Sequence, residues 1–134
     1  MAEIRYLSLA DVLALHQAMM EKFGVDPAPL REEGLLESAI MRPRMAAHYE
    51  EVDLIRQATL LAVGVSQAQA FLDGNKRAAF AACDVFLRLN GIIIAGDPIE
   101  LALQLEAVAE RTGNLEAATD LFESWLRVHI RSRE

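Results

Sequence analysis

Apolar positions recur at helical spacing almost from one end of this chain to the other. Leu9, Val12, Leu13, Leu15, Met19, Met20 and Phe23 fall on three- and four-residue intervals behind a Ser8–Asp11 pair that resembles a capping box. Gly24 stops that helix, and Asp26-Pro27-Ala28-Pro29 reads as an extended, turn-rich connector, because a residue preceding proline is steered out of the helical region. Residues 34–41 read as a short helix closed off by Arg42-Pro43. Residues 43–51, Tyr49 among them, show no clear period and read as a loop or flap. Asp53 then opens a helix to about Gln69, rich in Ala, Leu and Val. Residues 75–89 are apolar nearly all round after their first turn, which predicts a buried central helix with Gly91 as its stop. Ile92-Ile93-Ile94 can make a short extended piece. Asp97-Pro98 is an N-cap and first-position pair for a helix ended by Gly113, and Asn114 caps a last helix to about His129, with Leu121, Trp125 and Val128 as its expected buried stripe. No repeat, low-complexity tract or linker interrupts the pattern, so residues 1–134 are expected to form one all-α domain with little or no β structure.

One segment breaks a local rule. Lys76 and Arg77 fall in the first turn of the central helix, where the positive end of the helix dipole disfavours cations. An anion relieves the conflict: phosphate oxygens held by free backbone N–H groups and by both side chains. Asp73 is a hard oxygen ligand suited to Mg²⁺, which takes one or two carboxylates plus phosphate oxygens and water. Gly74 permits a tight backbone path and, with Asn75 and Lys76, can aim successive N–H groups at an anion. Arg77 offers a bidentate fork and Lys76 a mobile point charge, while Phe71 anchors the loop in the core. The same residues also admit a plainer arrangement, a surface ion pair between Asp73 and Arg77 with Asn75 as helix N-cap. On composition alone the two readings stand level.

The run Phe71-Leu72-Asp73-Gly74-Asn75-Lys76-Arg77 resembles the signature of the Fic/Doc (Fido) superfamily, His-x-Phe-x-Asp-x-Asn-Lys-Arg in its Doc, or death-on-curing, toxin branch. Five positions match at fixed spacing. Leu30-Arg31, then residues 34–39 with Arg42-Pro43, resemble the upstream Doc-like block, and Phe86-Leu87-x-Leu89-Asn90-Gly91 resembles the end of the motif helix, so the likeness covers most of residues 4–95. It implies a compact helical Fido domain, a metal on Asp73, and nucleotide phosphates on Gly74, Asn75, Lys76 and Arg77. It also implies ATP or another nucleoside triphosphate with Mg²⁺ as cofactors, and transfer of a phosphate-containing group to a protein hydroxyl, in the Doc branch that of a translation elongation factor. A small antitoxin restrains such toxins by docking beside the site. The adenylyl-transferring branch carries Gly-Arg where this chain has Lys76-Arg77, so Lys76 points to phosphate transfer, with nucleotidyl transfer as the alternative.

Gln69 stands where the family has its histidine, the general base on the target hydroxyl or its orienting partner. Glutamine accepts a hydrogen bond through its amide oxygen but has no useful proton affinity. Loss of a general base typically costs about 10²–10⁴ in rate. Phosphoryl transfer nevertheless depends chiefly on positioning and charge, and glutamine positions nucleophiles elsewhere in that chemistry. Impaired transfer and a binding module without turnover both follow from the resemblance, whereas a purely structural helical domain is the reading outside it. Of the three histidines, His48 in the expected flap is the candidate to approach the motif, His16 and His129 reading as surface or partly packed residues. Thr119-x-x-x-Glu123-Ser124 is similar to the self-inhibitory helix of some Fic proteins, which ends in Gly or Asn; Glu123 reads as an ordinary helical glutamate.

Composition bounds the rest. At 134 residues and 53% hydrophobic content the chain can bury an ordinary core, and a formal charge of −7 argues against a direct nucleic-acid binder. The single Cys83 excludes an internal disulfide and reads as a small buried hydrophobe. The first five residues lack a basic-then-apolar signal pattern, and no apolar run reaches the roughly 18 residues that span a bilayer, which together predict a cytoplasmic protein with no membrane partner.

Overall fold

The computed structural model describes residues 3–24, 26, 29–110 and 114–132. Six helices and two short strands follow one another: α1 (Leu9–Lys22), α2 (Glu33–Glu50), α3 (Leu54–Ala68), α4 (Asn75–Leu89), β1 (Ile92–Ile94), α5 (Pro98–Glu110), α6 (Leu115–Val128) and β2 (Ile130–Ser132). Helices dominate, as the apolar spacing requires. The described part of the Asp26–Pro29 connector is residues 26 and 29, and the expected stop at Gly113 lies outside the described residues.

The core is organised on two helices rather than one. α3 buries Ile55, Gln57, Ala58, Thr59, Leu60, Leu61, Ala62, Val63, Val65 and Ser66, nearly its whole circumference, and α4 buries Ala78, Ala79, Ala81, Ala82, Cys83, Phe86 and Leu87. The alanines on both let the two axes approach closely, with α2 and α6 covering α3 and with α1 and α5 covering α4. At Gly64 an added Cβ would lie 3.3 Å from the Ala39 Cβ, so α2 also rides close on α3. Burial pushes the Cys83 thiol up to about 12, the expected behaviour of an inert core cysteine. Capping follows the residues singled out above: Ser8 and Asp11 form a reciprocal capping box, Asp53 accepts from Arg56 N at 2.9 Å, and Asn114 accepts from Ala117 N at 3.1 Å.

Two expectations are corrected, and a third is met and extended. α2 does not end before Pro43 but runs through it to Glu50, so residues 43–50 are helix and not a flap. A proline inside a helix loses one hydrogen bond and crowds the carbonyl four residues back, at a cost of about 3 kcal/mol. Leu36, Ala39, Ile40, Pro43 and Ala46 form one buried stripe along α2, and burying it offsets that cost; the helix stops only at Glu51, which takes the left-handed region at φ 54°. On α6 the buried stripe is Ala118, Thr119, Phe122 and Leu126, whereas Leu121 is 49% and Val128 79% exposed. Trp125 marks the edge of that face, half-buried and stacked on His129 at 4.3 Å, which suits an aromatic with a polar N–H. Finally, the extended piece at Ile92–Ile94 has a partner: β2 pairs antiparallel with β1, Ile93 facing Arg131.

Among the described residues no helix is long and apolar enough to cross a membrane. Glu123 is engaged by Arg56 at 2.8 Å and by Arg127 at 2.8 Å, the behaviour of an ordinary helical glutamate.

Candidate functional site

Helix α3 ends at residue 68 and α4 begins at residue 75, and the motif runs from the six residues between them into the first turn of α4. Gln69 is the C-cap of α3 in the left-handed region (φ 51°), which turns the chain sharply out of the helix. Phe71 is buried and Leu72 exposed, so the loop is pinned at one side chain and open at the next. Gly74 then takes φ 82° as the N-cap of α4.

Four sets of contacts fix this loop. The first is a short bridge between Leu30 and Phe71, with Arg31 N and Glu32 N donating to the Ala70 carbonyl at 2.6 and 3.0 Å and Leu72 N donating to the Pro29 carbonyl at 3.3 Å. Second, the Arg31 guanidinium donates to the Gln69 carbonyl at 2.7 Å, which assigns a role to the Leu30-Arg31 pair of the upstream block. Third, Asn75 clamps Phe71 from both ends: its Oδ1 accepts from Phe71 N at 3.1 Å and its Nδ2 donates to Phe71 O at 2.9 Å. Asn75 is therefore not the N-cap; that position belongs to Gly74. Fourth, the underside of the loop rests on α1. The His16 ring stacks on Phe71 with centroids 3.6 Å apart, its Nε2 lies 2.9 Å from the Asp73 carbonyl oxygen, and a Cβ at Gly74 would meet Met20 Sδ at 2.6 Å. His16, not His48, is thus the histidine at the motif; the exposed His48 makes its ring contact edge-on with Tyr49. The period-four spacing of Val12, His16 and Met20 is the signal that could have placed it on the buried face of α1.

The upper side is a cleft of about 320 Å³ lined by Gln69, Leu72, Asp73, Gly74, Asn75, Lys76 and Arg77. All six residues singled out for chemistry line it together. The first intrahelical bond of α4 runs from Ala78 N to Gly74 O at 2.9 Å, and among the described residues the N–H groups of Asn75, Lys76 and Arg77 find no acceptor. Three outward donors at a helix start make a ready anion site. Asp73 and Arg77 form no ion pair with each other among the described residues. Lys76 Nζ instead lies 3.5 Å from Glu106 of α5, and Arg77 sits over the Phe23 ring at 4.7 Å, with Nη1 3.7 Å from Met20 Sδ. Both cations therefore border a second, mostly apolar hollow of about 440 Å³ lined by Met19, Lys22, Phe23, Lys76, Arg77, Phe80, Ile99 and Glu106.

The donor set constrains what the cleft can hold. One Asp73 oxygen accepts from Gly74 N at 2.7 Å, leaving the other for a ligand. Among the described residues no group of three His, Cys, Asp or Glu side chains could hold a metal alone. A single carboxylate beside three N–H donors and two cations fits Mg²⁺ arriving with phosphate oxygens, not Mg²⁺ by itself. At Gln69 the side chain folds back on the helix it caps: Nε2 donates to the Ser66 carbonyl at 2.9 Å and Oε1 accepts from Asn75 Nδ2 at a long 3.4 Å.

Comparison with known proteins agrees with this geometry. The model of the Fic/DOC family matches residues 6–87, which take in α1 to α3, the whole motif loop and α4 as far as Leu87. A protein kinase doc of Escherichia phage P1 is 33% identical over 100 residues, covering 74% of this chain and 78% of its own length. A Toxin Doc of Mycolicibacterium smegmatis is 35% identical over 94 residues, 69% of each chain. With that model matched over more than half of the chain, and with relatives matched along more than two thirds of their length, this chain belongs to the Fic/DOC family.

Proposed function

We propose that this chain is a Doc-type toxin that transfers phosphate from a magnesium–nucleoside triphosphate, ATP being the expected donor, to a hydroxyl of a target protein. The observation that carries the reading is the start of α4, where three N–H groups without acceptors among the described residues meet Lys76, Arg77 and the free oxygen of Asp73 in one cleft. The names of the two relatives, a protein kinase and a toxin, support it. Gly74 to Arg77 bind and orient the phosphates, and Arg77 stabilises charge on the transferred group. Mg²⁺, held by Asp73 and the phosphates, would neutralise the β- and γ-oxygens. In the transfer the bond from the γ-phosphorus to the bridging oxygen breaks, a bond to the target oxygen forms, and the nucleoside diphosphate leaves. Gln69 Oε1 can accept a hydrogen bond from the target hydroxyl but cannot take its proton, which passes to a phosphate oxygen or solvent. By family resemblance the target is a translation elongation factor and the setting the cytoplasm.

The apolar hollow beside Phe23 supports an antitoxin partner. Phe23 is 54% and Ile99 69% exposed, and a helix or strand laid there would cover both and reach Lys76 and Arg77. A second reading, a family member that binds nucleotide, antitoxin or target with little turnover, is favoured by the Gln69 amide, whose hydrogen bonds go to Ser66 and Asn75.

The experiment is a radiolabelled transfer assay of wild type, Gln69→His and Gln69→Ala against a bacterial lysate, with nucleotide affinity measured in parallel. Wild-type labelling that falls in Gln69→Ala and rises only modestly in Gln69→His supports transfer by positioning. Labelling confined to Gln69→His, where a base with a pKa near the working pH returns, supports the second reading. Absence of nucleotide binding in all three would overturn the site.

A further inference from the structure

We infer that His16, on the first helix and outside the motif, is the positioning residue that sets the Asp73 carboxylate through a single peptide plane. The inference rests on the phosphate-site reading above. His16 is 3% exposed, and its ring lies nearly parallel to Phe71, at an interplanar angle of 7°. A carbonyl oxygen only accepts, so at the 2.9 Å contact with Asp73 O the Nε2 atom carries the proton and donates. The C=O and N–H of a trans peptide point in opposite directions. With the Asp73 C=O drawn down to His16, the Gly74 N–H of the same plane is turned away from α1, where it donates to Asp73 Oδ1 at 2.7 Å. The two hydrogen bonds are the two ends of one rigid unit. His16 holds the lower end, the carboxylate is held at the upper end, and the second carboxylate oxygen is thereby aimed.

Among the described residues nothing else below the plane does this. Met20, one turn on from His16, supplies bulk at Gly74 but no donor, and Phe71 supplies a stacking face. Without the His16 proton the Asp73 carbonyl loses its partner, the peptide plane is free to rotate about the glycine, and the carboxylate goes with it. The N–H groups of Asn75 to Arg77 belong to α4 and stay in place. Binding of phosphates should then persist while the contribution of Mg²⁺ shrinks. That separation identifies a positioning role and would not arise from general loosening of the fold.

The test uses a matched pair. His16→Gln keeps an N–H donor at the end of an unbranched chain; His16→Met has nearly the same shape and no donor. His16→Leu supplies a second donor-less arm should methionine disturb the fold. Affinity for ATP is measured by calorimetry with and without Mg²⁺ on each full-length protein, and melting temperatures are recorded alongside. The expected result is an Mg²⁺-dependent gain in affinity that falls about tenfold in His16→Met or His16→Leu, the size of one lost hydrogen bond, and is largely restored in His16→Gln. Mg²⁺-free affinity should change little throughout. An unchanged Mg²⁺-dependent gain in a folded donor-less variant overturns this inference alone, as does an equal loss in His16→Gln and His16→Met. No binding of ATP by the wild type under either condition overturns the phosphate site, and the inference with it.

Discussion

Replacing Gly74 by alanine tests whether the motif loop is built on α1 as described. The residue sits at φ 82° and ψ 17°, where an L-residue costs roughly 1–2 kcal/mol more than glycine. The new methyl would also lie 2.6 Å from Met20 Sδ, 2.9 Å from His16 Nε2 and 3.2 Å from His16 Cδ2. The thioether could swing aside in an open site, but Met20 is fully buried, and the His16 ring is trapped between Phe71 and the Asp73 carbonyl. Overpacking of this kind typically costs about 1–3 kcal/mol, so a total of roughly 2–5 kcal/mol is expected. At about 3.5 °C per kcal/mol for a chain of this length, Tm should fall by about 7–18 °C. Urea unfolding gives the same quantity as a shift in midpoint at constant slope. Met20→Ala in the Gly74→Ala background should cost less than in the wild type, since it relieves part of the clash. A loss below about 0.5 kcal/mol, typical of a surface change, would refute the claim that loop and helix are packed together.

Two further outcomes follow from the same structure. Arg77→Ala removes a bidentate charge-assisted contact and should weaken nucleotide binding by about 1.5–3 kcal/mol in calorimetry, with unchanged affinity counting against the site. The second concerns Asp53, whose carboxyl is held below its ordinary range first by the hydrogen bond from Arg127, with the backbone N–H of Arg56 adding to it against the opposing effect of burial. A lowered folded pKa means that this stability is present above about pH 4, the unfolded value, and is lost as pH falls through the folded pKa. Chemical denaturation between pH 7 and pH 3 should therefore show a shallower acid loss in Arg127→Gln than in the wild type, and parallel curves would contradict the pairing.

What could be read from the residues, and what could not, divides along a physical line. Elements whose limits are written in local chemistry came out in place: Ser8, Asp53 and Asn114 as caps, and α4 from residue 75 to 89. Pro43 misled because its local penalty is real, and only the packing of Leu36, Ile40 and Ala46 beneath it, a tertiary fact, offsets it. The stripe on α6 was misplaced by centring it on Trp125, whose size draws attention although it sits at the rim of the buried face. That Asp73 to Arg77 line one cleft was legible because they are contiguous and because Lys76 and Arg77 break the dipole rule. His16 was not, because its contact with Asp73 spans 57 residues of sequence. A lone histidine on an apolar stripe carries no local sign of what it faces.

The backbone at position 69 decides how the glutamine question can be answered. Gln69 takes the left-handed region at φ 51°, and its carbonyl is held by Arg31, so the turn from α3 into the loop is fixed by main-chain geometry and by a neighbour. Among residues other than glycine, histidine is one of those enriched in that region. Gln69→His therefore asks nothing new of the backbone. It gives up the 2.9 Å bond to the Ser66 carbonyl and the 3.4 Å contact with Asn75, the second at the outer limit of hydrogen bonding. Asn75 keeps its two bonds to Phe71, which clamp the loop independently of residue 69. The donors of α4 are separated from that exchange by the whole clamp. A change in transfer without a change in nucleotide affinity would then report proton chemistry at residue 69 alone, and a parallel change in affinity would mean that the cap of α3 and the phosphate site are one mechanical unit.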